Sequence, residues 1–84
     1  MDPKQIALER INQTMALAQQ LGFDSLVVPT FELSYIHILD MHDRANQNFH
    51  EMSVEKLNRW LGWMQASLMG SGLVTLEQLK QLNR

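Results

Sequence analysis

Eighty-four residues with a formal net charge of −2, 45% hydrophobic content and no cysteine amount to one domain with one modest core. That composition argues against a disordered chain, and it removes a disulfide framework, a thiolate zinc site and a cysteine nucleophile. No apolar run approaches the ~18 residues that span a bilayer, and Met1–Gln5 lacks the basic start and apolar stretch of a signal peptide, so the expectation is a soluble cytoplasmic protein.

Asp2 suits an N-cap, Pro3 the first helical position, and Gln5 the third position of a capping box. Ala7, Leu8, Ile11, Met15 and Ala18 then recur at three- and four-residue spacing, with Ile6, Leu17 and Leu21 widening the face. Gly22 supplies a left-handed stop, so the spacing predicts a helix over 3–21. Phe23-Asp24-Ser25-Leu26-Val27-Val28-Pro29 has some strand character but no second run to pair with, and reads as an extended, partly buried connection. Thr30 is expected to cap a second helix running to about residue 47, with Glu32 favourably placed against the dipole. On that helix Phe31, Tyr35, Ile38, Ala45 and Phe49 share a face while Leu33 and Ile36 point the opposite way. Its first half is thus apolar nearly all round, the pattern of a central helix packed on more than one side.

Ser53 caps a third helix in which Val54, Leu57, Leu61, Met64 and Leu68 keep an unbroken core spacing, and Gly70-Ser71-Gly72 ends it. Thr75-Leu76-Glu77-Gln78 is a capping box, with Val74 placed to staple against Leu79, and it starts a short last helix. Every periodic segment is helical and every join is short. The expected fold is therefore all-α: a single domain over 1–84, a compact bundle of three longer helices and one short C-terminal helix.

Charge is uneven along the chain, with two cations against six anions in residues 1–43 and five against three in residues 44–84. Such asymmetry holds two halves together, pairs two chains antiparallel, or is a solvated surface without a task.

Little in the sequence points to catalysis. His37, Asp40, His42 and Asp43 lie close together, but His42 projects about 140° from His37, and His50-Glu51 lacks the second histidine of a zinc-protease motif. His42 falls among the directions of Phe31, Tyr35, Ala45 and Phe49, and reads as a core histidine bonded to a backbone carbonyl or to Tyr35. Asp40 and Asp43 beside Arg44 read as solvated charge, and the nucleophile-elbow, phosphate-loop and dinucleotide patterns are missing. No enzyme, metal or cofactor is expected. A helix–turn–helix regulator could use Arg44, Lys56 and Arg59, yet a DNA-binding domain of this size is ordinarily net positive.

The most informative stretch is Arg59-Trp60-Leu61-Gly62-Trp63-Met64-Gln65. Trp60 flanks the core stripe, whereas Trp63 points about 140° from its centre, with Lys56, Arg59, Ala66, Ser67 and Gly70 around it. A large aromatic among small residues, rimmed by basic ones, has the make-up of an interface hot spot. The competing explanation is that the first or last helix covers Trp63. Six methionines add adaptable apolar surface; Met15 and Met64 fall on core positions, Met41 and Met69 away from them.

Lys56-Leu57-Asn58-Arg59-Trp60-Leu61-Gly62-Trp63-Met64-Gln65, followed by Gly72-Leu73-Val74-Thr75-Leu76-Glu77, resembles a K-x-x-R-W-L-G-x-x-Q segment and its G-[LIV]-x-[TS]-[LIV]-[ED] sequel in small uncharacterised proteins of tailed bacteriophages and prophages. The likeness covers the last third of the chain and carries no fold, catalytic residue or named target. It implies an accessory product that binds and modulates, or inhibits, a host or phage protein. Together these readings predict a non-enzymatic interaction protein whose partner-binding residues are Trp63 as anchor, Trp60, Arg59, Lys56 and Ser67. The alternative function is a small helical DNA-binding regulator, and a homodimer is compatible with either.

Overall fold

The side chain of Asp2 accepts the backbone N–H of Lys4 at 3.0 Å and starts helix α1, Pro3–Gln20, in a computed structural model that describes residues 2–26 and 30–84. The cap thus reaches the second helical residue and does not close a box with Gln5. Gly22, at φ 80°, turns the chain into a short 3₁₀ segment, Phe23–Ser25, where an extended connection was expected. Leu26 is extended; the expected strand character of Val27, Val28 and Pro29 lies outside the described residues. Phe23 anchors this connection, fully buried, its ring 6.3 Å from that of Tyr35.

The second helix begins later than Thr30 predicts. Thr30 makes no side-chain cap, Phe31–Leu33 form a separate 3₁₀ turn, and Ser34 takes extended backbone at ψ 160°. The Ser34 hydroxyl accepts the His37 N–H at 3.3 Å, so α2 spans Tyr35–Gln47. Two capping residues stand four apart, and the chain uses the second. Phe31 and Leu33, expected on opposite faces of α2, thereby lie outside it. A further 3₁₀ turn, Phe49–Glu51, leads to α3, Val54–Gly70, whose Ser53 cap accepts the Lys56 N–H at 3.1 Å. Gly72, at φ 82°, closes α3, and the Thr75–Gln78 capping box opens α4, Leu76–Leu82, as the sequence predicts.

The architecture is the expected all-α bundle, with no strand among the described residues. Its core joins Ala7, Ile11, Met15 and Ala18 of α1 with Ile38 and Ala45 of α2 and Leu57, Met64 and Leu68 of α3, closed by Phe23, Val74 and Leu79. Each large side chain so buried contributes about 1.5–3 kcal/mol relative to exposure. The central element is α1, which packs most extensively on α3 and also on α2 and α4. This corrects the expectation for α2: it meets α1 and α3, but Ile36 is 68% exposed, so the apolar girdle of its first half is only partly covered. Met41 is also buried, contrary to the sequence reading, while Met69 is exposed as expected.

Three buried side chains are polar: Thr14, Gln65 and Ser67. Gln65 lies on the inner side of α3, only 8% exposed, and exchanges two hydrogen bonds with Asn83. Gln65 Nε2 donates to Asn83 Oδ1 at 2.8 Å, and Asn83 Nδ2 donates to Gln65 Oε1 at 2.9 Å. Gln65 Nε2 also donates to Thr14 Oγ1 at 3.2 Å, and Thr14 Oγ1 donates to the Arg10 carbonyl at 2.7 Å. The network ties the end of α4 to α3 and α1, and among the described residues no buried side-chain polar atom lacks a partner. A fully satisfied network of this kind adds specificity to a core that an isolated amide would weaken.

Candidate functional site

Helix α3 carries the site residues expected from the sequence, and its geometry sorts them. Trp63 is 45% exposed, and its indole N–H donates to the Glu32 carbonyl at 3.0 Å. The cover considered for it, α1 or α4, does not reach that hydrogen bond; the Phe31–Leu33 turn does. Trp60 is half-buried against the core, with the Lys56 ammonium 5.3 Å from its ring centroid, a cation–π distance. Lys56 and Arg59 are exposed. Ser67 is placed differently: it is 3% exposed and its hydroxyl donates to the Trp63 carbonyl at 2.9 Å. It therefore braces the helix beneath Trp63 and offers no surface to a partner, which corrects its assignment as a contact residue.

The Phe31–Leu33 turn supplies what the sequence reading missed. Phe31 is 62% exposed, Ile36 follows on the first turn of α2, and Leu33 is exposed as well. Because Glu32 sits between Phe31 and Leu33 and receives the Trp63 N–H, the turn and α3 meet at the indole. The Phe31 ring also lies 5.6 Å from that of His37. The surface is thus an apolar corner of Phe31, Leu33, Ile36 and Trp63, bordered by Arg59 and Lys56. Single exposed apolar side chains need no explanation; several large ones gathered about one turn are what a docking surface would require. Its signal in the sequence was the pair Leu33 and Ile36, pointing away from the core face of α2, together with the doubled caps Thr30 and Ser34.

The chemistry of the corner suits docking. An indole N–H buried without an acceptor costs about 1–3 kcal/mol. Here the Glu32 carbonyl already satisfies it, so a partner can cover the ring without stranding a donor.

The polar face of α2 is organised otherwise. His42 is partly exposed, with Nδ1 3.0 Å from Asp43 Oδ1, and is not the core histidine expected. Tyr35, its proposed partner, instead accepts Gln19 Nε2 at 3.0 Å. With Phe31 and Phe49 both outside α2, its buried stripe is Ile38, Met41 and Ala45, and His42 lies at the margin of it. Asp40 pairs with Arg44 at 3.1 Å, both largely exposed, as solvated charge does. Among the described residues no three His, Asp or Glu side chains gather into a group able to hold a metal, and no helix is long and apolar enough to cross a membrane.

The three cations of the DNA-binding alternative are dispersed in use: Arg44 is engaged by Asp40, Lys56 lies over Trp60, and Arg59 stands free of ion pairs among the described residues. An open groove of about 460 Å³ between α1 and Phe49 is lined by Leu8, Ala16, Asn12 and Gln13. It brings together no acid–base pair or cation cluster.

Compared with protein-family models, with curated proteins and with solved structures, the chain has no significant match in any of the three.

Proposed function

We propose that this chain is a non-enzymatic interaction protein that docks on another protein through the corner formed by Trp63 of α3 and the Phe31–Ile36 segment. The observation that carries the reading is the exposed cluster of Phe31, Leu33, Ile36 and Trp63 about the Glu32–Trp63 hydrogen bond. Trp63 is the anchor, Phe31 and Ile36 extend the apolar centre, Trp60 supports it from below, and Arg59 and Lys56 form a basic rim. The resemblance of residues 53–79 to phage accessory proteins supports a role in binding and modulating a host or phage protein, in the bacterial cytoplasm.

The test is affinity capture of the tagged protein from nuclease-treated bacterial lysate beside the Trp63→Ala variant. The reading expects one stoichiometric protein, retained by the parent and lost by a variant of unchanged helical content, since truncating an interface tryptophan commonly costs about 2 kcal/mol or more. Capture that survives Trp63→Ala would move the binding surface elsewhere. Recovery of nucleic acid alone, before nuclease treatment, would replace the reading with a DNA-binding one.

A further inference from the structure

We infer that residues 30–34 form a two-state switch that holds or frees the Trp63 indole. In the first state, the one described above, Phe31–Leu33 is a separate 3₁₀ turn and Ser34 caps α2. In the second, Ser34 turns helical, Thr30 becomes the cap, and α2 gains a turn at its start.

One residue separates the two states. Thr30 already has the extended backbone of an N-cap, at φ −121° and ψ 125°, and a 3₁₀ turn follows it. In that turn the Leu33 N–H donates to the Thr30 carbonyl at 3.1 Å, and the Ser34 N–H to the Phe31 carbonyl at 2.9 Å. Turns of this kind are frequent as the first turn of an α-helix. Ser34, at ψ 160°, keeps this one from running on into α2, where a helix needs ψ of about −42°. Local signals support both starts. The Ser34 hydroxyl accepts the His37 N–H, yet no acidic residue lies in the first turn it opens. A start at Thr30 puts Glu32 in the first turn, against the positive end of the dipole, and Phe31 on the face of Tyr35 and Ile38. From Tyr35 onward the packing serves either state, since Tyr35 accepts Gln19 Nε2 and Ile38 and Ala45 belong to the core.

The choice of start is coupled to Trp63. In the turn, the Glu32 carbonyl accepts the indole N–H at 3.0 Å. In a helix begun at Thr30 the same carbonyl points along the axis to the Ile36 N–H, four residues on, and the indole loses its acceptor. The longer helix also sends Phe31 and Leu33 to opposite faces, which takes the apolar corner apart. A protein docked on the corner therefore selects the turn, because it has differential affinity for the two states. That last link rests on the docking reading; the switch itself does not.

The test is NMR on the parent, Ser34→Ala, Thr30→Ala and the double variant, reading hydrogen exchange of the Trp63 indole N–H and the Cα shifts of residues 31–34. Removing the cap of one state shifts the equilibrium toward the other by about fivefold. Ser34→Ala should therefore speed exchange at Trp63 about fivefold and move the shifts toward helical values. Thr30→Ala should slow exchange by a similar factor, and the double variant should return to within about twofold of the parent. The Trp60 indole, which takes no part, should keep its rate in every variant. An unchanged Trp63 rate in Ser34→Ala would overturn the switch. So would a faster rate that Thr30→Ala fails to reverse, or shifts that move away from helical values, since α2 would then only be fraying at its start. Lysate capture keeps the two readings apart. Exchange that follows the caps while capture ignores Trp63→Ala removes the docking reading alone, and Trp63-dependent capture with exchange indifferent to the caps removes the switch alone.

Discussion

Trp63 and Gln65 stand two residues apart in α3 and invert the usual arrangement, the large aromatic half outside and the polar amide inside. Their surroundings account for the difference. Gln65 is enclosed by α1 and the end of α4, where Thr14 and Asn83 meet every need of its amide. Trp63 faces a three-residue turn that takes its N–H but leaves much of its ring, and the neighbouring Phe31 and Ile36, open to solvent. The first region explains itself as folding: burial and hydrogen bonding are complete there. At the second, apolar surface remains uncovered after the fold is finished, which is the observation the proposed docking surface rests on.

Substitutions can break this contrast or sharpen it, and they should fall in a definite order of stability. Leu57→Ala, at a fully buried position, should cost about 2–5 kcal/mol in urea unfolding and so sets the scale for the interior. Gln65→Leu keeps the volume but leaves the Asn83 amide without its partner, and should cost about 1–3 kcal/mol. If the network acts as a unit, adding Asn83→Leu to that variant should cost less than Asn83→Leu alone, as a double-mutant cycle by the same method would show. Ser34→Ala removes the cap that α2 uses and should cost about 1 kcal/mol, whereas Thr30→Ala should stay within about 0.5 kcal/mol. Equal effects at the two positions would mean that α2 begins at Thr30 after all. Ile36→Ser belongs to the other region: unfolding should change by no more than about 0.5 kcal/mol, while capture of a partner weakens.

How much was legible in the sequence follows the same division. Periodicity located all four helices, because the apolar positions of α1, α3 and α4 repeat at helical spacing and their caps and glycine stops are unambiguous. It also picked out Trp63 as pointing away from the core. The errors cluster where local signals competed. Thr30 and Ser34 both qualify as caps, and the chain uses Ser34, so that α2 opens at Tyr35, whose ring lies beside Phe23. With the start of α2 misplaced, Phe31 was assigned to a buried face and His42 to the core. Ser67 was assigned to the surface by its angle on the helix alone, but it is 3% exposed, with its hydroxyl on the Trp63 carbonyl. The Gln65–Asn83 pair joins residues 18 apart, and nothing in the spacing of two amides marks such a contact in advance.

The most direct test of this account is the unfolding free energy of Trp63→Ala, measured in urea by circular dichroism at a concentration low enough to exclude association. If the fold is complete without the indole, the variant should keep its helical signal and lose no more than about 1.5 kcal/mol, the worth of one hydrogen bond and partial burial. A loss of about 3–5 kcal/mol, the cost of truncating an interior tryptophan, would make Trp63 part of the core and contradict the docking surface built around it.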